Sequence, residues 1–173
     1  MNFRVDESIA ILSRTPAVLT ALMNGLPEAW LHCRDGEASF SPHEVLGHLV
    51  FGERTDWIPR ARIILEAGES RPFDPFDRHG HEAFTTTQST AELLREFAAL
   101  RQASLEALAG LRLDEAALDA AGTHPSLGRV TLRQLLSAWV VHDLGHIAQI
   151  VRVMAGRHRE DVGPWRQMLT IVR

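Results

Sequence analysis

The sequence predicts an all-α fold, a four-helix bundle with long crossover connections and short extra helices. Four long segments repeat apolar residues with the period of an amphipathic helix, and three of them begin with a capping box. The connections after the second and third helices are long, which favours a bundle with at least one crossover. No segment shows strand alternation strong enough to compete. At 173 residues, the chain is expected to form a single domain, residues 1–173.

The first two helices each contain a proline. The first is predicted over residues 5–24, with a kink or interruption at Pro16. The second begins at the capping box of residues 41–44 and continues to about residue 68, with a bend or break at Pro59.

The third and fourth helices are predicted over residues 89–110 and 131–156, each with a capping box at its start. The connection at residues 68–88, rich in proline and phenylalanine, is expected to be a structured excursion. Residues 114–129 are expected to hold a short helix and a turn at 124–128, and residues 163–166 to start a short closing helix.

Composition excludes several function classes. The net charge of −4 argues against a nucleic-acid-binding protein. No apolar run is long enough for a membrane span, and charged residues occupy the start of the chain where a signal peptide would be apolar, so a cytoplasmic location is expected. Cys33 is the single cysteine, so a metal site must use nitrogen and oxygen ligands. All 18 basic residues are arginine, which excludes Schiff-base lysine chemistry.

The pair His142 and His146 is the main candidate for chemistry. A spacing of four residues puts both imidazoles on one helix face, where they can converge on a metal ion. That face is otherwise mainly apolar, so packing alone would place aliphatic residues there. Residues 143–145 read Asp-Leu-Gly, so the zincin protease motif is absent.

His48 on the second helix is the best candidate for a third ligand, because it flanks an apolar stripe, and Gly47 and Gly52 permit a close helix approach. Gln149, one turn beyond His146, is a candidate catalytic residue that orients a substrate or a metal-bound water, with polar satisfaction in the core as the alternative.

Neighbouring polar and aromatic residues are given structural roles. Asp143 is expected to face away from the metal in a surface or inter-helix contact, and Glu44 to cap its helix. Solvated charge is expected for Glu53 and Asp56, with a contact to an imidazole N–H or a general-base role as alternatives. The expected core tryptophans are Trp57, Trp139 and Trp165. His43 is expected at the surface or in a cap, whereas His79 and His81 can approach the pocket mouth.

Four segments together resemble the DinB-like family of four-helix-bundle proteins, also called DinB/YfiT-like metalloenzymes: residues 44–49, 72–78, 124–128 and 139–149. The resemblance implies that His48, His142 and His146 form a three-histidine site for a divalent metal. It also implies a homodimer. Members with known activity are thiol-dependent S-transferases and a thiol-dependent isomerase, and this family is distinct from the DNA polymerase of the same name.

Three neutral imidazoles would leave a zinc, nickel, iron or manganese ion with an open position for a small molecule. The leading hypothesis is an S-transferase that activates a low-molecular-weight thiol cosubstrate. One alternative is a hydrolase that uses metal-bound hydroxide. The other is a non-catalytic, stress-associated bundle protein that binds metal or ligand.

Overall fold

The computed structural model describes residues 3–36 and 39–172, and it confirms the predicted helical bundle. Nine α-helices lie within these residues, and the longest of them build the bundle. The helices are α1 (Val5–Leu12), α2 (Thr15–Met23), α3 (Glu28–Leu31), α4 (Pro42–Thr55), α5 (Trp57–Glu66), α6 (Glu82–Thr85), α7 (Thr90–Ala109), α8 (Glu115–Asp119) and α9 (Leu132–Gly156). None of the helices in the described ranges is both long and apolar enough to cross a membrane.

Proline divides the first predicted helix into α1 and α2. The break falls at residues 13–14, and Pro16 lies in the first turn of α2, where its missing N–H costs nothing. In a continuous helix the residue at position 16 would donate to the carbonyl of Leu12, four residues earlier. Since proline cannot donate, the Leu12 carbonyl is free to accept a hydrogen bond from another helix.

The second predicted helix is also divided, but at Asp56 rather than at Pro59. A proline inside a helix lacks the N–H for the carbonyl four residues earlier, and its ring crowds that carbonyl. The affected carbonyl belongs to Thr55, the last residue of α4. The predicted break is therefore confirmed, three residues closer to the N-terminus than the proline.

The connection between α8 and α9 contains a hairpin that the sequence did not predict. Strands β1 (Ala121–His124) and β2 (Gly128–Thr131) pair antiparallel, with His124 opposite Gly128. The predicted turn is confirmed, because the His124 Nδ1 accepts from the backbone N–H groups of Ser126 and Leu127. Neither strand alternates apolar and polar residues, since β1 reads Ala-Gly-Thr-His and β2 reads Gly-Arg-Val-Thr, so the sequence carries no strand pattern here.

The core has two apolar halves with a polar layer between them. One half contains Leu12, Trp57, Leu108 and Trp139, and the other is built around Leu19, Leu46, Phe97 and Ile150. The residues between these positions along α7 and α9 include Arg101, His142, Asp143 and His146. Both proline-induced breaks fall at this level as well. Trp165 lies outside the core, because 69% of its surface is exposed, so that prediction was wrong.

Arg101 joins the helices across the polar layer. It donates to Glu53 Oε1 on α4 at 2.8 and 3.1 Å, to both Asp143 carboxylate oxygens on α9 at 2.6 and 3.0 Å, and to the Leu12 carbonyl at 2.8 Å. Thr15 on α2 donates to Asp143, and the Trp139 indole N–H donates to Glu53. One buried guanidinium therefore holds α1, α4 and α9 to α7.

Replacing Arg101 should be strongly destabilising. We expect Arg101→Met to lower the free energy of unfolding by about 3–5 kcal/mol, because two buried carboxylates lose their cation. Urea denaturation measures the change. Arg95→Met, an exposed position on the same helix, should cost no more than about 0.5 kcal/mol. A loss of less than about 1 kcal/mol in Arg101→Met would contradict this role for the network.

Candidate metal centre

The three predicted ligands meet in the polar layer. His48 comes from α4, and His142 and His146 lie one turn apart on α9. The His142 Nε2 lies 3.2 Å from the His48 Nε2 and 3.1 Å from the His146 Nε2. One ring nitrogen from each of the three residues lies within 4.8 Å of the other two. The structure thus brings together the histidines that the sequence singled out.

The donor set fits a divalent ion. Nitrogen ligands at zinc distances and tetrahedral angles lie roughly 3.3 Å apart, close to the two observed separations. A neutral imidazole carries one N–H, so His142 can donate to only one of its two neighbouring Nε2 atoms. At least one buried lone pair is then left without a donor among these rings. A cation between the three nitrogens would satisfy all of them.

The environment keeps the rings neutral and able to bind a metal. Burial lowers the pKa of His142 from 6.5 to about 3, and the neighbouring His146, His48 and Arg101 contribute to the shift. Burial also lowers the pKa of His48 to about 4, assisted by His146, His81 and Arg78. For His146 the pKa is lowered by burial, against the opposing effects of Gln149 and Asp143.

Gln149 contacts a predicted ligand. Its Oε1 lies 2.8 Å from the His146 Nδ1, so the Nδ1–H donates to the amide and the Nε2 keeps its lone pair for a metal. Gln149 also lines the cavity beside the three histidines. The structure gives it the position of a residue that orients His146, and its predicted catalytic role stays a prediction.

A cavity of about 500 Å³ opens beside the histidines. Its apolar wall includes Phe40, Phe76 and Trp57. The Phe76 ring packs edge-on at 5.3 Å from His48, and the Trp57 ring packs edge-on at 5.1 Å from His142. This volume and these walls suit a small, partly apolar molecule.

The structure tests the predicted roles of three acidic residues near the site. The prediction that Glu53 and Asp56 carry solvated charges was wrong, because these residues are only 5% and 8% exposed. Asp56 lies 2.6 Å from Arg60 and lines the cavity, and burial raises the pKa of its carboxyl against the opposing effect of Arg60. The inter-helix alternative for Asp143 is confirmed by its contacts with Arg101 and Thr15.

Two further histidines, His43 and His81, are buried near the site. His43 is buried rather than at the surface, with its ring nitrogens 2.8 Å from the Thr90 hydroxyl and 2.9 Å from the Thr85 carbonyl. His81 is 1% exposed, and its ring lies 6.1 Å from that of His48. Glu44 caps α4 as predicted.

The segment at residues 72–81 supplies a wall of the site that residue patterns alone did not assign. Phe73 is buried, and its N–H donates to the carbonyl of Thr123 on the hairpin. Phe76 and Arg78 line the cavity. The sequence indicated a structured excursion here, but only the fold shows that it covers the histidines.

Gln149 should set the metal affinity through His146. We expect Gln149→Leu to weaken metal binding by about tenfold, because the imidazole loses the acceptor that fixes its tautomer and orientation. Gln149→Glu keeps an acceptor at the same place and should bind at least as tightly as the natural protein. Competition with a chromophoric chelator gives the affinities, and equal values for the Leu and Glu variants would contradict this role.

The stability of the metal-free protein should depend on pH through the same rings. Because the pKa values of His48 and His142 are lower in the folded state, the unfolded chain takes up protons first as the pH falls below 6.5. Their contribution to stability is complete above pH 6.5 and is lost as the pH falls toward 4 and then 3. Melting temperatures should fall less steeply over this range in the double variant His48→Gln, His142→Gln. Parallel curves for the two proteins would contradict the prediction.

Comparison with known proteins agrees with the geometry. The family model of the DinB superfamily matches residues 11–150, which include all three histidines. Among curated proteins, none matches the sequence. Among solved structures, the chain is similar to YfiT from Bacillus subtilis, described as a probable metal-dependent hydrolase with an unusual four-helix bundle topology. The identity is 21%, the TM-score is 0.75, and the match covers 88% of this chain and 86% of YfiT, which shows a shared fold. Since the family model spans well over half of its residues, the chain belongs to the DinB superfamily.

Proposed function

We propose that this protein is a metal-dependent enzyme that activates a small nucleophile for attack on a small-molecule substrate. The observation that carries the proposal is the convergence of the Nε2 atoms of His48, His142 and His146 at the wall of a cavity. Three neutral ligands leave the charge of a divalent ion undiminished, and a bound ion would lower the pKa of a thiol or water molecule beside it.

The residues around the site have separate tasks in this proposal. Gln149 holds the His146 ring by its Nδ1–H, and Trp57 packs against His142. The rings of Phe40 and Phe76 complete an apolar wall, which excludes water from one side of the reactants.

A thiol is the first candidate for the nucleophile, and S-transfer the first candidate reaction. The chain's own thiol is not placed for this task, because Cys33 donates to the Trp30 carbonyl and is not part of the cavity lining. A low-molecular-weight thiol would therefore enter as a cosubstrate. The cavity of about 500 Å³ has room for a small thiol and an electrophile together.

Water is the second candidate nucleophile, and hydrolysis the second reaction. Two observations favour it. Asp56 places a buried carboxyl in the cavity lining, where it can accept a proton from water. YfiT, which shares the fold, is described as a probable metal-dependent hydrolase. Asp56 pairs with Arg60 in the structure, so proton transfer would compete with that contact.

The test begins with metal content. Purified without a polyhistidine tag after expression in metal-supplemented medium, the natural protein should hold about one ion per chain by elemental analysis. His142→Ala should lose most of it and lower turnover on the order of 100-fold or more, because a direct ligand is lost. His158→Ala is the matched control, since this exposed histidine lies beyond the end of α9.

Turnover with a panel of electrophiles and esters, with and without added thiol, then separates the reactions. Thiol-dependent consumption of electrophiles supports the transferase, and ester cleavage without thiol supports the hydrolase. Metal bound without any turnover, with a lower melting temperature in His142→Ala, would favour a non-catalytic binding protein. Unchanged metal content in His142→Ala would contradict the site itself.

Homodimerisation remains part of the proposal. Ile11 on α1 and Val141 on α9 are 39% and 67% exposed and line one surface groove. Light scattering during size-exclusion chromatography measures the oligomeric state.

A further inference from the structure

Arg78 brings an unpaired positive charge to the lining of the cavity. Arg78 is an exposed residue that lines the same cavity as the three histidines, and within residues 3–36 and 39–172 its guanidinium has no hydrogen-bond or ion-pair partner. Its charge also reaches the site, since Arg78 contributes to the low pKa of His48 after burial, His146 and His81. A guanidinium in such a position is free to bind a group that enters the cavity.

The segment that carries Arg78 is held in place on both sides. On one side, the Phe76 ring packs edge-on against His48 at 5.3 Å and against Phe51 at 5.4 Å. On the other side, the backbone of Gly80 lies against the Phe51 ring so closely that a Cβ there would overlap it. Asp77 accepts a hydrogen bond from the His79 N–H, which fixes the intervening turn. The arginine is therefore presented from a packed segment.

The charges around the cavity favour an anion. Among the described residues that line the cavity, Asp56 is the one acid, and its carboxylate lies 2.6 Å from Arg60 Nε. Arg78 has no such counterpart. A divalent ion on the three histidines would add further positive charge, so an anionic group would be attracted to this cavity.

We propose that Arg78 is a specificity-determining residue that binds a carboxylate of the reactant whose other end reaches the three histidines. The inference rests on the proposed function, since it names the class of molecule that the same site accepts. The planar guanidinium fork matches a carboxylate in geometry and in charge. The reactant is thus a small carboxylic acid with an apolar part that contacts Phe40, Phe76 and Trp57.

Matched pairs of probes test this inference. The metal-loaded protein is titrated calorimetrically with ω-mercaptocarboxylic acids and with the ω-mercaptoalcohols of equal chain length. At the best-fitting length, the natural protein should bind the acid about tenfold more tightly than the alcohol. Arg78→Gln should remove most of this preference and change the affinity for the alcohol by no more than about twofold. Any binding of the carboxylate to the ion itself is common to both proteins and cancels in the comparison.

Two further variants sharpen the result. Arg112→Gln removes an exposed arginine that lies outside the cavity lining, and it should keep the preference of the natural protein. Arg78→Glu should weaken binding of the acid further and improve binding of the matching aminothiol. An acid-to-alcohol ratio that is the same in the natural protein and in Arg78→Gln overturns the inference, as does the absence of any preference in the natural protein.

The same titrations on metal-free protein separate this inference from the proposed function. Arg78 should favour the acid with or without the ion, because the charge and position of its guanidinium do not depend on metal binding by the histidines. Loss of the preference in Arg78→Gln would support the inference even if the natural protein held no metal and turned nothing over. Normal metal content and turnover together with an unchanged ratio in Arg78→Gln would overturn this inference alone.

Discussion

The ion network around Arg101 sets both the packing of the bundle and the geometry of the candidate site. A buried guanidinium is tolerated only when its N–H groups are paired, and here two carboxylates and a backbone carbonyl accept them. The carbonyl is available because Pro16 cannot donate to Leu12, so a helix break near the start of the chain becomes part of the core. Four helices must come into register at one level for these contacts to form together.

The candidate site lies on the same level as this network. Asp143 lies between His142 and His146 on α9, and its contact with Arg101 fixes the rotation of α9 about its own axis. That rotation turns His142 and His146 toward α4, where His48 faces them. The stacked rings of Trp57 and Trp139, 5.6 Å apart, fill the space between the network and the cavity. The stability of the bundle and the geometry of the site therefore share one layer of residues.

The chemistry of the site follows from what surrounds this layer. Burial keeps the imidazoles neutral, so their lone pairs remain available near neutral pH. Phe40, Trp57 and Phe76 form the apolar wall of the cavity, and the segment that contains Phe76 also brings Arg78 to the lining. The three histidines determine which ion the site could hold, whereas the positive charge of Arg78 is what would distinguish one class of small molecule from another.

The helical class, the capped helix starts and the histidine pair were predictable from the sequence, because these depend on spacings within one segment. The proline breaks were also readable, although the break near Pro59 fell at Asp56, since the carbonyl that proline disturbs lies four residues earlier. The roles of the acidic residues became clear only from the packing of the helices. In the sequence, Glu53 and Asp143 cannot be told apart from exposed helical carboxylates, and only the fold brings Arg101 on α7 into contact with both. Arg78 lines the cavity only because its segment folds over α4. Such pairings join residues distant along the chain, so no local pattern encodes them.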